Sequence, residues 1–205
     1  MEFERIDKKY PGRVYEFDLV GEVNFEDPKY FARLAELRKG AEKRGFKFED
    51  GRPYYLPFGE AVQLAKEFQR HDPTNPKRPF ARELRIACAE KLGLQSDEEM
   101  ERIKIYTGVG GEGESKISPA DLYHGADFFI SFTDKNGKEY IIVFDITKKE
   151  EKAKKPSVDV TVGDDVPDSS DENFDKRIVE VTDNYANQFF EALQTKAEKG
   201  KQLQE

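Results

Sequence analysis

Apolar positions along the chain change period several times, and each change marks a predicted element. Over VYEFDLVGEVNF, Val14, Glu16 and Asp18 alternate with Tyr15, Phe17 and Leu19 ahead of Gly21, a period-two pattern that predicts a strand or hairpin. Asp27-Pro28 supplies a cap and a first helical position, and Tyr30, Phe31, Leu34 and Leu37 then recur at helical spacing before Gly45, predicting a helix over 28–44. A second helix is expected through GEAVQLAKEFQRH, with Val62, Ala65 and Phe68 on one face, until the prolines of HDPTNPKRP break it. PFARELRIACAEKLG sets Phe80, Leu84, Cys88 and Leu92 on one stripe and stops at Gly93, the residue that most readily takes the left-handed turn at a helix end.

Beyond that helix, Ser96 and Glu99 have capping-box spacing for a single turn, and RIKIYTGV reads as a strand. GEGESKISPADLYHGA reads as a long loop. DFFISFT, the turn DKNGK and EYIIVFDIT then form an expected antiparallel hairpin, whose run IIVF suits a central strand buried on both faces. KKEEKAKK is expected to make a helical turn or two, SVDVTV a last strand, and the acidic GDDVPDSSDENFD a mobile loop. Phe174, Ile178, Val181, Tyr185, Phe189 and Leu193 recur every three or four positions, the stripe of a long final helix in which RIVEV is the one stretch that also reads as strand. The fold class is α/β with a mixed central sheet. The division expected is an N-terminal hairpin and helical extension over 1–75 and a core over 76–205, with one domain of 1–205 as the alternative.

Composition narrows the chemistry. The chain has 205 residues, with 34 Lys and Arg against 42 Asp and Glu for a net charge of −8, and its 16 Phe and 9 Tyr supply core surface that an apolar content of 37% would otherwise leave short. Charged residues interrupt every apolar run too often for a membrane span or a secretory leader. The lone Cys88 has no partner for a disulfide, so a reducing, cytoplasmic setting is expected. One Cys with His71 and His124 cannot build a Cys/His zinc cage, so any metal would be held mainly by oxygen. Net acidity argues against a nonspecific coat on nucleic acid but leaves room for a local basic groove.

The chemistry concentrates in HGADFFISFTDKNGKEYIIVFDITKK. A turn centred on Asn136 places Asp127 directly opposite Asp145. Two carboxylates opposed on one sheet face have Cβ atoms about 5 Å apart and repel unless a cation lies between them. Hard oxygen ligands suit Mg²⁺, with Mn²⁺ as a substitute.

Gly-Ala-Asp on the first strand of this hairpin, and an apolar run ending in Asp-Ile-Thr-Lys on the second, resemble the PD-(D/E)XK nuclease superfamily over roughly residues 79–163. The resemblance implies a restriction-endonuclease-like αβββαβ core and Mg²⁺- or Mn²⁺-dependent endonuclease activity, hydrolysing phosphodiester bonds in DNA ahead of RNA. It makes Asp127 and Asp145 the metal ligands, adds a Glu from the preceding helix, Glu83 before Glu90, and assigns a lysine two positions after the second acid. That position is Thr147. Lys148 and Lys149 follow; Lys149 shares the side of Asp145 but stands roughly 13 Å away on an extended strand at 3.3 Å per residue, while Lys148 points to the other side. Either a bulge returns one of these lysines to the site, or the chain is an inactive relative acting as a binding module.

Further candidates weigh less. His124 can touch a phosphate or simply be solvated. GVGGEGES lacks the Gly-Lys-Ser/Thr ending of a phosphate loop. Lys148, Lys149, Lys152, Lys154 and Lys155 can line a phosphate backbone. A metal-dependent phosphatase is a third class, and the first 75 residues are read as a substrate-recognition lobe or a homodimer surface.

Overall fold

Alternate apolar residues on four short strands give the chain a sheet with two buried faces. The computed structural model describes residues 11–49, 52, 54–111, 118–147 and 157–202. Strands β1 (Ile103–Thr107), β2 (Phe128–Thr133), β3 (Glu139–Ile146) and β4 (Val160–Val162) lie in the order β1-β2-β3-β4. The first three pair antiparallel and β4 runs parallel to β3, so the class is α/β with a mixed sheet. The expected hairpin register holds, with Phe128 opposite Phe144 and Thr133 opposite Glu139. Its turn is tied by Asp134, whose Oδ1 accepts the N–H groups of Asn136 and Lys138, while Gly137 supplies a φ of 80°.

Side-chain alternation assigns the faces. Ile103, Ile105, Phe128, Ile130, Ile142, Phe144, Ile146, Val160 and Val162 pack under helices α1 (Pro11–Val20), α4 (Pro79–Lys91) and α7 (Phe174–Gln202). Tyr106, Phe129 and Val143 face α2 (Tyr30–Lys43), α3 (Phe58–Glu67) and the short α6 (Pro119–His124). One further turn of helix, α5 (Asp97–Met100), begins at the expected Ser96–Glu99 capping box. A run of ring contacts, Tyr185 to Phe80, Phe80 to Phe128 and Phe128 to Phe144, ties α7 and α4 to the strands. Each such pair contributes about 0.5–1.5 kcal/mol beyond the area it buries.

Three expectations change. Residues 11–20 are a helix rather than a strand or hairpin: Leu19 and Val20 are buried and Tyr15 half-buried on one side, and Gly21, at φ 77°, ends it by donating its N–H to Phe17 O. The N-terminal segment thereby covers both faces of the sheet, α1 on one and α2 and α3 on the other. Inside the expected loop lies α6, bounded by Pro119 at its start and left-handed Gly125 at its end. RIVEV belongs to the expected final helix and not to a strand, because Ile178 and Tyr185 join the same buried stripe. From α4 onward the described residues run α4, α5, β1, α6, β2, β3, β4, α7, so the final helix follows the last strand as expected, and KKEEKAKK, between β3 and β4, lies outside the described residues. The acidic segment near 165 is anchored by buried Val166 and by the Tyr185 hydroxyl donating to Asp165 at 2.5 Å.

Gly108 lies where the chain after β1 crosses the chain before β2. A Cβ there would stand 2.1 Å from the carbonyl oxygen of Ala126. Gly108→Ala is therefore expected to cost about 3 kcal/mol and several degrees of melting temperature. At Gly59, where a Cβ meets nothing within 4 Å, the same change should be neutral or slightly stabilising by thermal denaturation. Equal behaviour of the two variants would show that the crossing is not tight.

Candidate metal centre

Asp127 is the last residue before β2 and is 3% exposed. Its N–H donates to Phe144 O at 3.0 Å, and its Oδ2 accepts the N–H of Ile146 at 2.5 Å. Asp127 thus grips β3 on either side of Asp145, as the register predicts. Its own carbonyl accepts the N–H of Gly108 at 2.7 Å.

Two other elements bring carboxylates to this point. Asp121 lies on α6, and its Oδ2 accepts the N–H of Gly110 at 2.9 Å. The same segment after β1 therefore holds the backbone of Asp127 and the side chain of Asp121. Glu16 arrives on α1, whose end is fixed by the buried Thr107 hydroxyl donating to Gly21 O at 2.9 Å. Thr107 is itself paired with the Gln69 side chain through both backbone groups, which links α1, the end of α3 and β1. Glu16, Asp121 and Asp127 each offer a carboxylate oxygen, and these oxygens all lie within 4.8 Å of one another. Such a cluster could hold a metal ion.

Burial pushes the Asp127 carboxyl well above the usual carboxylate range; Asp121 and Glu16 push it further, Asp145 adds a smaller contribution, and the Ile146 N–H opposes them. The cost of ionising Asp127 comes chiefly from lost hydration and from its two cluster partners.

The site differs in membership from the sequence expectation. Asp127 belongs to the cluster. Asp145, 7% exposed, stands beside it on β3 without belonging to the three converging carboxylates. Glu83 is not in the cluster either: its carboxylate lies 3.0 Å from the Arg82 guanidinium, so the helix that supplies a glutamate is α1, not α4. Thr147 donates its N–H to Val162 O at 2.8 Å, which carries the pairing of β3 with β4 two residues past Asp145. Lys148 and Lys149 lie outside the described residues. The His124 ring sits against Tyr55 and Phe58, with Nε2 2.9 Å from Leu56 O, a packing role in place of a phosphate contact. Sequence reasoning missed Glu16 because a period-two reading made its segment a strand. It missed Asp121 although Ser118-Pro119 and Gly125 bracket a helix in the ordinary way.

No protein-family model matches the chain, and no curated protein or solved structure is significantly similar to it.

The raised Asp127 carboxyl gives a pH signature. Unfolded, Asp127 ionises near pH 4; folded, it holds its proton to higher pH, so the native state is favoured in acid and loses that advantage as pH rises through the folded value. In EDTA, Asp127→Asn, which keeps an oxygen for the Ile146 N–H, should melt higher than wild type at pH 8 by about 1 kcal/mol or more, roughly 3 °C, with the gap closing toward pH 4. A variant less stable than wild type at pH 8 would contradict this.

Proposed function

We propose that the protein is a Mg²⁺- or Mn²⁺-dependent nuclease of the PD-(D/E)XK kind that hydrolyses phosphodiester bonds, in DNA ahead of RNA. The observation that carries this reading is the convergence of Glu16, Asp121 and buried Asp127, from three separate elements, beside Asp145 on the next strand. The donors are all hard carboxylate oxygens and one is costly to ionise without a cation, a combination that fits a small divalent ion. Held by these three residues, such an ion would polarise a phosphoryl oxygen and lower the pKa of an attacking water.

The chain's own groups do the rest. The Ile146 and Gly110 N–H groups fix the Asp127 and Asp121 carboxylates, so the ligands are oriented before any ion arrives. Asp145 adds negative charge next to Asp127, which strengthens the attraction for a divalent cation. Lys148 or Lys149 is the cation assigned to the charge that develops on the phosphate. Thr147, standing where the family's lysine would be, favours one second reading: a decayed site in a nuclease-like module that acts through binding.

Titration with Mg²⁺ or Mn²⁺ should raise the melting temperature of wild type, since an ion at 100 times its Kd adds about 2.7 kcal/mol. The rise should vanish in Glu16→Gln and Asp121→Asn and persist in Glu83→Gln. With metal, wild type should cleave DNA, and Asp127→Ala or Asp145→Ala should lower the rate about 100-fold or more. Cleavage that survives both substitutions would overturn the assignment, and a metal shift without any cleavage would favour the binding module.

A further inference from the structure

We infer that the face of α1 next to the carboxylate cluster is a landing site for one unpaired strand of nucleic acid, with the Phe17–Arg78 pair stacking a base and Lys77 meeting the phosphate beyond it. The inference rests on the nuclease reading and adds to it a preference for single-stranded substrate or for frayed ends.

Glu16 and Phe17 are consecutive on α1 and so point about 100° apart around the helix, which sets the Phe17 ring on the flank beside the one that carries the cluster's glutamate. That ring is 39% exposed on a helix whose neighbouring Leu19 and Val20 are buried. The Arg78 guanidinium lies over it, 4.5 Å from the centroid. Arg78 immediately precedes α4 and is half-buried, and Lys77 beside it is exposed. Neither takes an ion pair among the described residues. Their neighbours differ: Arg70 is engaged by Glu22 and Glu26, and Arg82 by Glu83. On a chain of net charge −8, two cations without an ion pair beside an exposed ring offer what one nucleotide presents, a phosphate and a base face. Together with Val20, Glu22, Asp72 and Thr107 they line a cavity of about 20 Å³, room for a water but not for a base. A base must therefore lie on the outer face of the Arg78–Phe17 pair. Planar stacking on an aromatic ring and a guanidinium accepts any base and needs it unpaired, because a duplex buries its base faces.

The test is fluorescence anisotropy in EDTA, which prevents cleavage, with a labelled oligothymidine and a hairpin duplex of equal charge. Wild type should bind the single strand more tightly than the duplex. Phe17→Ala and Arg78→Lys, the latter keeping charge but losing the plane, should each weaken single-strand binding about tenfold. Lys77→Ala should weaken both ligands and lower the salt slope by about 0.7 on the single strand. The metal-induced melting shift should be unchanged in all three variants, which also reports that they fold. Equal affinity for the two ligands, no measurable binding of either, or an unaltered Phe17→Ala variant would overturn the inference. Loss of the metal shift in wild type would instead count against the nuclease reading and leave the strand preference to be judged by the anisotropy alone.

Discussion

The pairing register of β2 with β3 is the constraint on which the rest depends. Strand side chains alternate between faces, so a slip of one residue would turn Phe128, Ile130, Ile142 and Phe144 away from α4 and α7. Asp134 holds the register at the turn by accepting two N–H groups. Asp127 holds it at the far end, bonded to the backbone of Phe144 and Ile146. The carboxylate at the centre of the candidate site is therefore also the bracket that ends the hairpin, and site and fold share one set of hydrogen bonds.

Opposing this order is the cost of keeping Asp127 dry among other acids. Like charges at such spacing are unfavourable, and burial withdraws the water that would screen them. Rigid surroundings maintain the arrangement: Gly108 allows two chain segments to cross at a distance no other residue tolerates, and the Thr107, Gly21 and Gln69 contacts fix α1. Energy held at one point and offset elsewhere is the usual economy of functional sites.

Much of this architecture is legible in the sequence where one periodicity runs unopposed. The helices at 30–43 and 79–91, the β2–β3 hairpin and the long final helix all carry a single period and ordinary end signals. Residues 14–20 carry two. Glu16 and Asp18 alternate with apolar neighbours as in a strand, while Tyr15, Leu19 and Val20 also fit one side of a helix, and the short window does not separate the two. Burial against α4 and the tie from Thr107 to Gly21 favour the helix. Reading that segment as a strand kept Glu16 from view, while the resemblance drew the expected glutamate, Glu83, from the helix that precedes β1.

The sequence by itself determined the opposition of Asp127 and Asp145, because both follow from turn chemistry and the two-residue repeat of a strand, which are local. Only the tertiary structure decided which carboxylates join Asp127. Glu16 and Asp121 come from elements on opposite faces of the sheet, separated from it in the chain by very different lengths, and their meeting is set by packing and by a backbone crossing at Gly108. No local pattern encodes such a convergence; it exists only once both layers have closed on the strands.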